Sequence, residues 1–236
     1  GEDAATAALY SSDTLTITGT GSLDVTGSYK DGISSKNGLV ITGGPTITVN
    51  AVDDGVRGKD YLLVSSGRLT VTAGGDGLKS SEDDDETKGF VALGAATVTV
   101  ASGDDGVSAT TDVTVDGTAL SITAGGGQAR ATVSEQGPGQ GGPEQGAPGQ
   151  DRSTDSAEED TSPSPKGINA GVAYAQDSGS VTIDAADEGL QGAFVNVNGG
   201  SLDIASGDDG VNASNGDSTI EGYENADSES DDGSAI

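Results

Sequence analysis

Short stretches of alternating apolar and polar residues recur along this chain of 236 residues at nearly regular intervals. Leu23-Asp24-Val25, Ile47-Thr48-Val49 and Leu69-Thr70-Val71 are three of them. Alternation with a period of two and many β-branched residues is typical of β-strands that bury one face. We predict that the apolar residues point inward and stack on their counterparts in the next stretch. The predicted inward pairs are Leu23 and Val25, Ile47 and Val49, Leu69 and Val71, Val98 and Val100, Leu120 and Ile122, Val181 and Ile183, and Leu202 and Ile204.

Each strand stretch leads to a turn in which an acidic residue precedes a glycine, most clearly at Asp53-Asp54-Gly55-Val56. Gly32 and Gly55 are 23 residues apart, and Gly189 and Gly210 are 21 residues apart. A fixed period of this size is typical of solenoids, in which every repeat is one turn stacked on the last. Three short strands in about 21–23 residues predict an all-β fold, a single-stranded parallel β-helix with three short strands per turn.

Two segments depart from the repeat. Residues 128–165 are rich in Gly, Pro, Gln, Ser and Glu, which is typical of a flexible low-complexity insert. The repeat resumes at Lys166-Gly167, 22 residues before Gly189, so we predict one domain over residues 1–236 with the insert placed in a turn. Before the insert, Gly125-Gly126-Gly127 offers no acid at its turn. Residues 217–236 carry a worn copy of the repeat, and we expect a frayed final turn there.

The amino-acid composition excludes several classes of binding partner and several kinds of chemistry. The chain carries 39 acidic and 10 basic residues, a formal net charge of −29, so binding to nucleic acid or to an anionic membrane surface is not expected. Aromatic residues make up only 3% of the chain, which is typical of disordered segments, but the regular placing of apolar residues overrides that interpretation. The chain has no Cys and no His, which excludes disulfides, thiolate and imidazole metal ligands and His-based catalysis. No apolar run is long enough to span a membrane, so we predict no membrane insertion.

The acids at the turns are candidate metal ligands because they recur at one phase of the repeat. Equivalent carboxylates in stacked turns would lie about 4.8 Å apart and repel by roughly 3–4 kcal/mol at an effective dielectric of about 20. Divalent cations between them would reverse that repulsion, and oxygen ligands without His or Cys favour Ca²⁺. The glycine after each acid is expected to let the backbone turn tightly toward the ion. The predicted ligands are Asp31, Asp53, Asp54, Asp76, Asp104, Asp105, Asp187, Glu188, Asp208 and Asp209.

A solvated acidic ridge without metal is the alternative interpretation of these residues. Scattered surface carboxylates usually serve solubility alone, and a lone Asp-Gly step is usually only a turn. The recurrence of the acids at one phase of the repeat favours the metal interpretation.

The sequence around three of the turns is distinctive. It reads Tyr29-Lys30-Asp31-Gly32-Ile33, Ala51-Val52-Asp53-Asp54-Gly55 and Gly74-Gly75-Asp76-Gly77-Leu78. These runs, and an insert between a Gly-rich turn and a Lys-Gly-Ile restart, resemble a family of secreted bacterial carbohydrate-binding domains over nearly the whole chain. The resemblance implies a right-handed parallel β-helix like that of pectate lyases, bound Ca²⁺, and binding to the plant cell-wall-type polysaccharides cellulose and polygalacturonate.

Non-catalytic, calcium-dependent polysaccharide binding is therefore the first functional hypothesis, with Ca²⁺ bridging protein and uronate carboxylates. The candidate sugar-contacting residues are Tyr29, Arg57, Tyr61 and Lys79, with Tyr174 as a further aromatic residue for stacking. We expect a secreted or cell-surface protein whose signal peptide has been removed, because the chain begins at Gly1 and contains no Met.

Two other functions stay open. The first is a calcium-dependent polysaccharide lyase of the pectate type, in which Arg57 or Lys79 abstracts a proton next to the uronate carboxyl; the simpler role for both residues is to balance the acidic turns. The second is a cell-surface structural protein or adhesin that uses an outward threonine column. That column contains Thr48, Thr70, Thr99 and Thr182, and Asp24 and Asp203 interrupt its ends.

Overall fold

The computed structural model describes residues 7–131 and 164–214 of the chain. Within these ranges the protein is all-β, with eighteen strands and one 3-10 helix at Gln128–Arg130, and it contains no helix long and apolar enough to cross a membrane. The predicted worn turn at residues 217–236 and most of the insert at residues 128–165 lie outside the described residues. In chain order the strands are β1 Ala7–Ser11, β2 Leu15–Thr18, β3 Ser22–Gly27, β4 Asp31–Ser35, β5 Gly38–Thr42, β6 Thr46–Ala51, β7 Val56–Gly58, β8 Tyr61–Ala73, β9 Leu78–Ser80, β10 Phe90–Ser102, β11 Val107–Ala109, β12 Val113–Val115, β13 Ala119–Ala124, β14 Ile168–Gln176, β15 Ser180–Ala185, β16 Leu190–Val197, β17 Ser201–Ser206 and β18 Val211–Asn212.

All the strand pairings in these ranges are parallel, and they form three ladders within one large sheet. Ladder A contains β1, β4, β7, β9, β11, β14, β16 and β18. Ladder B contains β2, β5, β8, β10, β12, β14 and β16, and ladder C contains β3, β6, β8, β10, β13, β15 and β17. Each strand therefore pairs with the strand one repeat further along the chain. The sheet is not closed, because no pairing between described strands joins its first and last strands.

Ladder C pairs the predicted inward residues in register. Leu23 lies beside Ile47, Ile47 beside Leu69, and the series continues to Leu202. These side chains are buried in one core except at the two ends of the ladder, where Leu23, Leu202 and Ile204 are partly exposed. The outward residues pair in the predicted order too, from Asp24 through the threonines to Asp203.

The prediction of three short strands per repeat is wrong where adjacent strands fuse. The strands β8 and β10 each run for 13 residues through ladders B and C, and β14 and β16 run through ladders A and B. These strands are long because β8 and β10 stay paired along their whole length. The pairing begins with Tyr61 opposite Phe90 and ends with Ala73 opposite Ser102, almost without a gap. The backbone therefore changes direction between two ladders without losing its hydrogen bonds to the next repeat.

The predicted metal ligands lie in the turns that connect ladder C to ladder A, or, for Asp31, at the first residue of the following strand. We call these connections the acid turns. Their glycines do not need a left-handed backbone, because Gly32, Gly55 and Gly77 have no positive φ. A Cβ on Gly77 would instead collide with Cγ1 of Val100, and it would lie 2.6 Å from the carbonyl oxygen of Gly106. Glycine is present because the next repeat packs directly against it, which corrects the expectation of a special turn conformation.

Tyr174 is in the core, so the expectation that it stacks on sugar is wrong. Its side chain is 0% exposed, and its hydroxyl donates a hydrogen bond of 2.8 Å to Oε1 of Gln176. In ladder B it pairs with Val113 and Val195, which places it in an apolar inward column. A buried ring that fills a column between two valines cannot reach a ligand outside the sheet.

Candidate functional site

The residue before each acid-turn glycine belongs to one column, which we call the acid column. The N–H of Gly32 donates to the carbonyl of Asp54 at 2.9 Å, and the same bond recurs at every later turn. The acid column reads Asp31, Asp54, Asp76, Asp105, Lys166, Glu188 and Asp209. The residues one position earlier form a flanking column that reads Lys30, Asp53, Gly75, Asp104, Pro165, Asp187 and Asp208. All ten predicted metal ligands lie in these two columns.

Lys166 occupies the acid position of the turn that begins at Gly125, so this turn has no carboxylate there, as the sequence predicted. The N–H of Gly106 donates to the carbonyl of Lys166 at 2.9 Å, as Gly77 does to Asp105. Within the repeat, Gly125 corresponds to Gly103, which lies two residues before Asp105. The N–H of Gly125 donates to the carbonyl of Ser102, and the N–H of Gly103 donates to that of Ala73 in the same way. The acid position of this repeat therefore comes after the insert and carries an ammonium group in place of a carboxylate.

The first four members of the acid column are buried carboxylates. Asp31, Asp54, Asp76 and Asp105 are only 3–7% exposed, so they do not form the solvated ridge that was the alternative interpretation. Each later carboxylate is held by the backbone of the following repeat. The N–H of Asp76 donates to Oδ1 of Asp54 at 3.1 Å, that of Asp105 to Oδ1 of Asp76 at 3.1 Å, and that of Lys166 to Oδ1 of Asp105 at 2.9 Å.

Burial raises the pKa of all four carboxyl groups, because it disfavours their charged form. The pKa of Asp105 is raised to about 7, by burial first and by the neighbouring charge of Asp76 second. The charged column is therefore costly in the absence of cations.

Two lysines partly neutralise the carboxylates of the acid column and the flanking column. Nζ of Lys79 lies 2.7 Å from Oδ2 of Asp76 and 3.4 Å from Oδ2 of Asp54. Burial lowers the pKa of Lys79, but attraction and hydrogen bonding to Asp76 and Asp54 outweigh that effect, so its pKa is raised. Lys166 lies 3.3 Å from Oε2 of Glu188 and 3.7 Å from Oδ2 of Asp187.

The carboxylates at two successive turns converge on one point. Asp76, Asp104 and Asp105 each offer an oxygen within 4.8 Å of the others, a donor set that fits a hard cation. At the first turn, Oδ2 of Asp31 is buried and has no hydrogen-bond partner among the described residues. An unpartnered carboxylate oxygen is expensive to bury unless a cation compensates it.

A second convergent group, Glu82, Asp83 and Asp84, was not predicted as a site. It lies in the charged insert that lengthens one repeat, and Glu82 is already paired with Lys59 at 3.0 Å. The five consecutive acidic residues at positions 82–86 could have indicated this group from the sequence. Its two other carboxylates are exposed, as is usual for a solvated loop.

The predicted sugar-contacting residues are not all on one surface. Arg57 pairs in register with Lys79 on the outward side of ladder A, so these two lie in adjacent repeats. Tyr61 belongs to ladder B and stacks on Phe90, with ring centroids 5.6 Å apart. Tyr29 is 85% exposed at the first acid turn.

Comparisons with known proteins add two findings. A family model described as "carbohydrate-binding domain-containing protein" matches residues 1–226. A solved structure described as that of the polysaccharide lyase-like protein from C. thermocellum, in a gadolinium derivative, is 32% identical with a TM-score of 0.51. That alignment covers 52% of this chain and 50% of the other, so the similarity spans half the length of that protein. No curated protein matches the chain.

Proposed function

The chain belongs to the family of carbohydrate-binding domain-containing proteins, and from this premise we propose that it is a non-catalytic, calcium-dependent polysaccharide-binding domain of a secreted or cell-surface protein. The observation that carries the proposal is the convergence of Asp76, Asp104 and Asp105, in a chain of this family. The partner we propose is a plant cell-wall-type polysaccharide, cellulose or polygalacturonate.

We propose that the strands wind as a right-handed parallel β-helix. The support is the pairing of each strand with its counterpart one repeat later, in three ladders that share one core. A parallel connection within one sheet is right-handed in nearly all proteins. The winding explains why residues separated by a full repeat become neighbours in the acid column.

Calcium is the cofactor that the donor set fits best. Carboxylate oxygens without His or Cys suit a hard ion, and several carboxylates suit Ca²⁺ in particular. Asp76, Asp104 and Asp105 would hold it; Asp31, Asp53 and Asp54 occupy the corresponding positions two turns earlier but are not one of the convergent groups among the described residues. The related solved structure is a gadolinium derivative, and lanthanide ions are hard cations that also prefer oxygen ligands. Bound cations would offset the repulsion within the column, and a coordination position left open on such an ion could accept a uronate carboxylate oxygen.

A polysaccharide lyase is the second candidate, favoured by the name of the solved relative. Lys79 is poorly suited to act as its base, because a lysine must lose its proton to abstract another. Its contacts with Asp76 and Asp54 raise its pKa and keep it charged. Arg57 donates hydrogen bonds from Nε and from one terminal nitrogen to the hydroxyl of Ser81, which supports a structural role. Prolonged incubation with pectate, monitored by the ultraviolet absorbance of unsaturated products, should show no product.

Two measurements test the main proposal. Calorimetric titration of chelator-treated protein with CaCl₂ should show saturable binding. Pull-down on polygalacturonate and on cellulose, each with Ca²⁺ and with excess chelator, should show retention that the chelator lowers. Absence of retention on both polysaccharides in saturating calcium would remove the proposal.

A further inference from the structure

A groove of about 290 Å³ opens on the outward side of ladder A, beside the acid turns. Its lining includes two of the ten basic residues of the chain, and none of its described lining residues is acidic. This is unusual on a chain with 39 acidic residues and a net charge of −29. The lining residues used below are Lys79, Ser108, Lys166, Asn169 and Gln191.

Four of these residues form one continuous row. Lys79 pairs with Ser108, Ser108 with Asn169, and Asn169 with Gln191, each one repeat apart. Their side chains are therefore repeated at about 4.8 Å along the groove. Hydroxyl and amide groups both donate and accept hydrogen bonds, as sugar hydroxyls do, while the ammonium group only donates. The row thus offers an extended polar track with a positive charge at one end.

The acid column positions three groups of the groove from below. Nδ2 of Asn169 donates to Oδ2 of Asp105 at 3.0 Å, and the N–H of Lys166 donates to Oδ1 of the same residue. Lys79 is held by Asp76 and Asp54, but its side chain is 30% exposed. Since an ammonium group has three N–H donors, one remains for a ligand in the groove.

We propose that this groove is the subsite that binds the carboxylate-bearing sugars of an acidic polysaccharide, with Lys79 facing the carboxylate and Ser108, Asn169 and Gln191 contacting hydroxyl groups. The inference rests on the proposed polysaccharide-binding function and assigns its location and preferred sugar. The acidic surface elsewhere repels a polyuronate, whereas the groove lining carries no carboxylate and Lys79 keeps an N–H donor for a sugar carboxylate. Cations held by Asp76, Asp104 and Asp105 would strengthen that attraction from below.

A charge added inside the groove tests the location. In Gln191→Glu the side chain keeps its size and gains a negative charge, and Thr182→Glu adds the same charge on the exposed outward side of β15. At fixed calcium and moderate salt, retention on polygalacturonate should fall about tenfold for Gln191→Glu and change less than about twofold for Thr182→Glu. Gln191→Lys should raise retention above that of the unmodified protein. Equal retention for the two Glu variants, or no gain for Gln191→Lys, would overturn the assignment.

The unmodified protein separates this inference from the proposed function. If it binds cellulose but not polygalacturonate, the groove assignment to an acidic sugar is wrong while polysaccharide binding stands. If it binds neither, both fail. Thermal unfolding of each variant, expected within about 2 °C of the unmodified protein for surface changes of this kind, shows that lost retention reflects the groove and not the fold.

Discussion

At the scale of single residues, Asp105 is where the electrostatic cost of the acid column is concentrated. It is buried, and it accepts hydrogen bonds from the backbone of Lys166 and the side chain of Asn169. Burial and the charge of Asp76 nevertheless raise its pKa to about 7. Such a buried carboxylate lowers the stability of the fold, and the proposed cation would compensate this cost.

Replacement of Asp105 by Asn should therefore separate binding from stability. We expect Asp105→Asn to weaken calcium binding at least about tenfold, because a charged ligand is lost. In excess chelator at pH 7 we expect the variant to unfold at the same temperature as the unmodified protein or higher, because one buried carboxylate has been removed from the column. Calorimetric titration and thermal unfolding measure the two effects.

The control for this substitution is Asp203→Asn, which removes the same charge from the exposed outward side of β17. It should change neither calcium affinity nor chelated stability appreciably. Full calcium affinity in Asp105→Asn would show that this carboxylate is not a ligand.

The raised pKa values also predict an unusual dependence of stability on pH. In excess chelator, Asp31, Asp54, Asp76 and Asp105 bind protons more tightly in the folded state than in the unfolded state. The free energy of unfolding should then fall as pH rises from about 4 to about 7, with Asp105 alone contributing on the order of 4 kcal/mol. Denaturant unfolding at several pH values in chelator measures it. Asp105→Asn should make this slope less negative. An identical slope in the variant and the unmodified protein would contradict a raised pKa of Asp105.

At the scale of the structural elements, the acid turn depends on the absence of a side chain. The same contact recurs at successive turns: a Cβ on Gly55 would collide with Val71, one on Gly77 with Val100, and one on Gly167 with Ile183. The turn glycine and the inward residue of the next repeat are therefore one packing unit. This unit explains why the glycine spacing follows the repeat.

Gly77→Ala should consequently lower the free energy of unfolding by roughly 1–3 kcal/mol, through overpacking against Val100 and the next backbone carbonyl. Gly210→Ala is the matched control, because it is the same turn position in a later repeat and no described atom lies within 4 Å of its added Cβ. Chemical denaturation of both variants in calcium gives the difference. Equal stability of the two variants would contradict the packing explanation.

At the scale of the whole molecule, the ladders continue directly across the insert. Val107, before the insert, pairs with Ile168, after it. Gly125 and Pro165 are also close, since a Cβ on Gly125 would lie 2.7 Å from Cγ of Pro165. The chain therefore leaves and re-enters the same turn at neighbouring points, so the insert does not need to bridge any distance.

Replacement of residues 132–163 by a short Gly-Ser linker should thus preserve the fold. We expect a melting temperature within about 3 °C of that of the unmodified protein, because the described strands pair directly across the insert and a shorter connection changes mainly the entropy of closing it. Calcium binding should also persist, because the linker leaves Asp76, Asp104 and Asp105 in place. A loss of cooperative unfolding would mean that the insert contributes to the core and that the single-domain interpretation is wrong.

Some features of the site could not be predicted from the sequence. The acid position before Gly167 could have been recognised by alignment on the glycine, yet the pairing of Lys166 with Glu188 and Asp187 required the side-chain positions. Tyr174 follows the inward phase of Val113, but the insert between them obscured that register. Lys79 was ambiguous between base, ligand contact and counter-ion until its distances to Asp76 and Asp54 were known.

The amino-acid sequence by itself determined the strands of ladder C, their register, and the residues of the acid column and the flanking column before the insert. It could do so because, in parallel strands stacked in register, the neighbour of each residue is its own counterpart one repeat later. Only the tertiary structure decided that four of the acids are buried, which lysines compensate them, and that a groove without carboxylates lies beside them. Those features depend on contacts such as that between Asp105 and Asn169, which join residues on either side of the insert and have no periodic signature in the chain.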